Sequence, residues 1–404
     1  MTSPVTLNPR TEPPTGWRWA PLTDVATLGT GHTPDRDRSD YWCGEIPWIN
    51  LTEIRKLDGS VAVGTDLTIT PEGVRRSSAV VHPAGTVAFS RTASVGFVTM
   101  MGRPMTTSQD FVTWTCGDLL DPRYLMTALI ASREHLRSLS TGSTHRTIYM
   151  RVAERFRVLL PPLEEQRRIA AILDQADELR AKRRAAIAHL DSLTDAIFLD
   201  MFGDPALSQR FVALGDITAS ARLGLVRSSK QLSEGGPYPY IRMNAISADG
   251  RLDSSSLQRT FASRDELASS TLDRGDLLFN TRNSRDLVGK CAVFRGDERC
   301  LFNNNLLRLR FTDGIAPEFV WAVLNSTYGK RELMSRASGT TSVFAIYAKD
   351  LASVPIPLAD PDRQALFSDA VAEVDSNRSQ HTTSLSALDV LFASLQARAF
   401  AGDL

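Results

Sequence analysis

The stretch that decides the fold is PPLEEQRRIAAILDQADELRAKRRAAI, Pro161–Ile187, near the middle of a 404-residue chain. A proline pair opens it and an acidic first turn follows. Proline suits the first helical turn, where its missing N–H has no partner to lose, and the acids favour the helix dipole. No further proline occurs before Pro205, so the spacing predicts one helix from about Glu164 to Leu199. With Ile169 as position a, the a sites are Ile169, Ala176, Arg183, Leu190 and Ile197. The d sites are Ile172, Leu179, Ala186 and Leu193. A sustained 3.5-residue spacing makes a narrow apolar seam that needs a partner.

That partner is expected at the other end of the chain. From about Arg363 to Ala399 the same spacing places Phe367, Val374, His381, Leu388 and Leu395 on one row. Val371, Arg378, Leu385, Phe392 and Ala399 form the next. The two helices are expected to pair antiparallel as a coiled coil, each about 50 Å long. Arg183, Arg378 and His381 interrupt the seam near its middle, where polar residues either fix register or reach out to solvent.

Each long helix closes a half of the chain, and the halves repeat one another. EIPWIN (Glu45–Asn50) corresponds to YPYIRMN (Tyr238–Asn244). PAGTVAFSRTASVGFV (Pro83–Val98) corresponds to DRGDLLFNTRNSRDLVGKCAVF (Asp273–Phe294), both reading as strand, polar turn, glycine and strand. Proline-led helices follow, Asp121–Leu139 and Ala316–Leu333. Then come STGST (Ser140–Thr144) and ASGTT (Ala337–Thr341), and a strand running into prolines, FRVLLPPL and LASVPIPL. The fold class is therefore α+β: two similar α/β domains separated by two long antiparallel helices forming a coiled coil. The expected boundaries are 1–160 for the first domain, with 1–15 a flexible tail, 161–203 for the first helix, 204–358 for the second domain and 359–404 for the second helix.

Composition narrows the function. Lys+Arg and Asp+Glu are equal at 46 each, so no overall basic footprint marks a free-standing nucleic-acid binder. Cys43, Cys116, Cys291 and Cys300 form no CxxC pair, no histidines sit at ligand spacing, and a reduced compartment is expected. MTSPVTLNPRTEPPTGW has no apolar signal core, and no apolar run approaches the roughly 20 residues of a membrane span. The expected location is cytoplasmic, with no membrane partner and no metal. Phosphate-loop, dinucleotide, GxSxG and HExxH motifs are absent, as is the Asn/Asp-Pro-Pro-aromatic tetrapeptide of amino-methyltransferases. No catalytic residue is assigned.

LLPPLEEQRRIAAILDQAD followed by FLDMFGDP resembles the first conserved region of DNA-specificity (S) subunits of Type I restriction–modification systems. The proline pair, Leu163, Glu165-Gln166, Ile169 and Phe202-Gly203-Asp204 carry the likeness, and the halved architecture extends it over essentially the whole chain. The second helix departs from the pattern: PIPLADPDRQALF keeps Pro357-Leu358 and Gln364 but lacks an acidic pair beside the glutamine. The resemblance implies a non-catalytic reader with two target-recognition domains, each reading one half of a split duplex site, and helices that measure the unread spacer. Its implied partners are double-stranded DNA, two methyltransferase (M) subunits and, where present, restriction (R) subunits. S-adenosylmethionine belongs to the former, ATP and Mg to the latter, and no cofactor to this chain.

Base edges are read by Arg, Lys, Asn, Gln, Ser and Thr side chains. The polar turns nominate Ser90, Arg91, Thr92 and Ser94 in the first half, with Asn50, Thr52 and Arg146. In the second they nominate Asn280, Thr281, Arg282, Asn283, Ser284, Arg285 and Lys290, with Arg242 and Asn244. The turns differ, so the halves are expected to read different sequences and the whole target to be asymmetric. Two other readings stand beside this one: a protein–protein adaptor with no DNA contact, and a methyltransferase or nuclease in its own right.

Overall fold

A computed structural model of the chain describes all residues except 1–3, 8–11, 143–145, 234, 254–256 and 340–341. The expected tail and both glycine loops (Ser140–Thr144, Ala337–Thr341) lie partly outside the described residues. The chain forms two compact units, Met1–Arg183 with Ser384–Leu404, and Arg184–Thr383.

In the first unit the main sheet has the order Ala26–Thr30, Phe111–Cys116, Val87–Ser90, Val98–Met101, Val61–Ala62. Val87, Phe89, Val98, Val112 and Trp114 alternate inward, and the helix Pro122–Ala131 closes over them with Leu125 and Leu129. A second sheet centres on Trp42–Ile49, paired in parallel with Thr106–Thr107. In a third, Phe156–Leu160 lies between Val5–Thr6 and Arg18–Pro21.

The second unit repeats this plan. Its main sheet runs Thr218–Leu223, Leu306–Phe311, Leu277–Asn280, Cys291–Val293. Tyr238–Ile241 pairs in parallel with Leu301–Phe302, as Trp42–Ile49 does with Thr106–Thr107. Pro317–Asn325 covers the main sheet, and Phe211–Ala213 pairs antiparallel with Pro355–Pro357.

Both long helices are continuous, Leu163–Phe202 and Pro361–Ala399. Near the start of each a glutamine is buried. Gln166 Oε1 accepts the backbone N–H of Asp121 at 2.8 Å, and its Nε2 donates to the carbonyls of Pro161 and Leu119. Gln364 Oε1 accepts the N–H of Ala316 at 3.0 Å and its Nε2 donates to Ala359 O. Each amide thus ties the entry of the long helix to the start of the helix covering its own unit's sheet.

The helices run antiparallel within each unit. In the first, Arg168 donates to Leu404 O and Arg180 Nε to Asp389 Oδ1, while Ile169 and Leu173 share a core with Ala399 and Phe400. In the second, Arg378 Nε donates to Asp191 Oδ1, and Phe198 meets Phe367 at a ring separation of 5.6 Å. Ile169, Ala176, Phe367, Val371 and Val374 are buried; Ile172, Leu190, Ile197, Leu385, Leu388, Phe392 and Leu395 are half-buried.

The first helix departs from the expected seam. Leu179 and Leu193 are 47% and 42% exposed. The inward row is instead Leu173, Arg180, Ile187, Thr194 and Met201, one residue later. Stepping 3-4 or 4-3 from Ile169 gives the same period, so apolarity alone favoured Leu179 over Arg180. The fold accepts Arg180 because Asp177 and Asp389 neutralise it and its guanidinium lies 4.4 Å from the centroid of the Phe392 ring. Among the described residues no helix is long and apolar enough to cross a membrane.

Candidate nucleic-acid interface

In the first unit the polar turn is built from below. Val87–Ser90 ends at Ser90, which is fully buried; its Oγ donates to Ser94 O at 2.5 Å and accepts the N–H of Phe97 at 2.9 Å. Ala93 takes φ 55°, a left-handed conformation disfavoured for residues with a Cβ, and its N–H donates to Arg146 O at 2.9 Å. Arg133 Nε donates to Gly96 O and Arg137 Nε to Val95 O, while Arg133 also grips Asp58. Gly96 has φ 98°, and a Cβ there would meet Arg133 Cγ at 2.9 Å, so glycine is required. Ile148 N–H donates to Arg91 O at 2.8 Å, and Thr92 bridges Thr147. Arg55 Nη2 reaches Ser94 Oγ at 3.1 Å. Three separate segments, around Thr52–Arg55, Arg91–Gly96 and Arg146–Tyr149, therefore meet at one place.

The second unit uses the same frame. Thr281 N–H donates to Asn305 O as Arg91 N–H does to Asp110 O, at 2.9 and 2.8 Å. Ile346 N–H donates to Thr281 O at 2.9 Å, matching Ile148 on Arg91. Arg282–Asn283 pairs with Phe344–Ala345, which in turn pairs with Ser338–Gly339. Arg282, Ser284 and Arg285 are exposed, and Arg285 stands 6.0 Å from the Phe344 ring. These are exposed hydrogen-bond donors on a rigid base. Among the described residues no group of three or more His, Cys, Asp or Glu could hold a metal ion.

A family profile described as the Type I restriction modification DNA specificity domain matches residues 14–189. The EcoKI specificity subunit of Escherichia coli K12 is 24% identical over 97% of this chain and 90% of its own length. The MjaIX specificity subunit of Methanocaldococcus jannaschii is 26% identical over 49% of this chain and 47% of its own. A Type I S subunit from M. genitalium shares the fold, with TM-score 0.64, 16% identity and 99% of both chains covered. Residues 14–189 thus match that DNA-specificity domain, and over nearly its whole length the chain is similar to a specificity subunit of a Type I restriction enzyme.

The nominated residues divide by orientation. Thr52, Arg146, Arg242, Asn244, Arg282 and Arg285 face solvent; Arg91, Thr92, Ser94, Thr281 and Asn283 are half-exposed. Three nominees are turned inward. Asn50 is buried, capping its own turn: its Oδ1 accepts the N–H of Thr52 and its Nδ2 donates to Glu53 at 2.7 Å. Ser90 closes its loop as described. Asn280 is fully buried, with Oδ1 accepting the N–H of Arg282 at 3.2 Å. Lys290 donates to Ile246 O, and burial holds its pKa below the ordinary lysine value. Arg91 spends one guanidinium nitrogen on Gln109 O at 2.8 Å, and Arg242 one on Gln258 Oε1 at 3.1 Å. Arg55 was missed, since it lies far in sequence from the turn it joins.

Proposed function

We propose that this chain is the non-catalytic DNA-reading subunit of a Type I restriction–modification assembly. Each unit reads one half of an asymmetric bipartite duplex site through its loop cluster, and the long helices set the unread spacer. The reading rests on one observation. The two clusters share their backbone hydrogen bonds yet carry different side chains, Arg91-Thr92 in one where the other has Thr281-Arg282. A shared frame presents both clusters to duplex DNA in the same manner, and unlike side chains select unlike bases.

Two methyltransferase subunits carry S-adenosylmethionine and transfer the methyl group, and restriction subunits, where present, carry ATP and Mg. The equal numbers of acidic and basic residues fit a subunit whose partners supply much of the phosphate contact. The assembly works in the cytoplasm, on the cell's own duplex DNA. The test is methylome sequencing of a host carrying the chain with its methyltransferase partner, against the same host lacking this chain alone. A methylated motif of two unlike halves around a fixed gap is expected only in the first. Methylation indifferent to this chain overturns the reading. Removing two heptads from both helices shortens the gap, and an unchanged gap refutes the spacer role.

A further inference from the structure

Immediately after the paired isoleucines the two units carry the same exposed chemistry. Ile148 is followed by Tyr149-Met150-Arg151, and Ile346 by Tyr347-Ala348-Lys349. Both isoleucines are fully buried and both donate their N–H to the base of the polar turn, on Arg91 O and Thr281 O. The tyrosines that follow are 60% and 55% exposed, and Arg151 and Lys349 are exposed as well. Each tyrosine stands at the start of a short helix without capping it through its side chain. An exposed aromatic held beside a polar turn in both units calls for a partner outside the chain.

The turns differ between the units, but the Tyr-x-basic triplet is common to both. Residues that differ suit what differs between two half-sites, namely the bases. Residues that recur suit what the half-sites share, and that is the sugar–phosphate backbone. Phosphate oxygens accept hydrogen bonds from tyrosine hydroxyls and pair with arginine and lysine, which fixes a reader's register without carrying sequence information. We infer that Tyr149 with Arg151, and Tyr347 with Lys349, are equivalent phosphate clamps that seat each recognition domain on its half-site. The inference rests on the DNA-reading function proposed above.

The experiment uses the full chain assembled with its methyltransferase partner. Its probes are a duplex bearing the motif recovered from the methylome and a mixed-sequence duplex. Arg151→Gln and Lys349→Gln are each expected to weaken binding to both duplexes and to lower the slope of log affinity against log salt by about one. Tyr149→Phe and Tyr347→Phe are expected to weaken binding about fivefold, the loss of one hydrogen bond, with the slope unchanged. Footprint protection should fade over one half-site in each variant, a different half for each unit, while the methylated motif stays the same. Wild-type affinities and slopes in all four variants overturn the clamp and leave the DNA-reading function standing. A motif altered at the affected half overturns it too, because the contact is then to bases. A wild-type assembly that protects no duplex overturns the reading itself, and the clamp with it.

Discussion

Arg180 Nε donates to Asp389 Oδ1 at 2.7 Å, and in the other unit Arg378 donates to Asp191 in the same way at 2.6 Å. Each pair joins the two long helices at an equivalent place in its own unit, with the arginine on the helix that begins in the unit and leaves it and the aspartate on the helix that enters from the other. Reversing one charge, as in Arg180→Asp or Asp389→Arg, is expected to lower the stability of the first unit. The double reversal should recover about 0.5–1 kcal/mol of coupling, as partly exposed pairs do. Urea unfolding of the wild type and the three variants measures it, and additive losses would show that the pair contributes nothing.

The buried glutamines are more costly to remove. Gln166→Leu leaves the N–H of Asp121 and the carbonyls of Pro161 and Leu119 without their partner. Buried groups left unpaired cost about 1–3 kcal/mol each, so the melting temperature should fall by several degrees. Gln364→Leu should act in the same direction on the second unit, through Ala316 and Ala359.

The shifted seam gives a sharp contrast between near neighbours. Leu173 is buried in the first unit's core while Leu179 is largely exposed. Leu173→Ala is expected to cost about 2–4 kcal/mol and Leu179→Ala less than about 0.5 kcal/mol in the isolated chain. Equal costs would restore Leu179 to the seam.

His82 is buried, with Nε2 3.3 Å from Thr113 Oγ1, and burial depresses its pKa below the ordinary 6.5. Its neutral form is therefore favoured by folding. The stability it contributes is present above the unfolded value and is lost as pH falls through the folded one. Stability of the first unit should decline below about pH 6.5, and His82→Gln should flatten that decline. Denaturant melts across pH 5–8 on both proteins measure it; identical profiles would exclude His82 as the cause.

Arg282 and Arg91 are expected to behave differently. Arg282 is exposed on the turn of the second unit, so Arg282→Ala should relax sequence preference in one half-site, at about 1–3 kcal/mol per lost base contact. Arg91 holds Gln109 O, so Arg91→Ala should reduce stability as well as affinity. Methylome motifs and melting temperatures of the two variants separate these outcomes.

The repeat was legible because each of its marks is local: aromatic strands, proline-led helices and a glutamine a few residues into each long helix. Which row of the first helix faces inward was not, since Leu173 and Ile172 both satisfy the period and the domain cores decide between them. The inward turn of Asn50, Ser90 and Asn280 was hidden for a related reason. A polar residue at the base of a tight turn has the same composition whether it reads DNA or closes the turn. The recurrence of Tyr-x-basic after an isoleucine stood in the sequence, but its meaning depends on exposure.

The first unit is assembled from both ends of the sequence, whereas the second is one uninterrupted segment. Ala399 and Phe400 fill the same core as Ile169 and Tyr124. On the ribosome, the second unit can therefore finish folding while the first, though synthesised earlier, still waits for the segment from Ser384 onward to emerge. A nascent chain halted before residue 384 would hold one completed unit and one with an open core, which reverses the vectorial order in which domains usually mature.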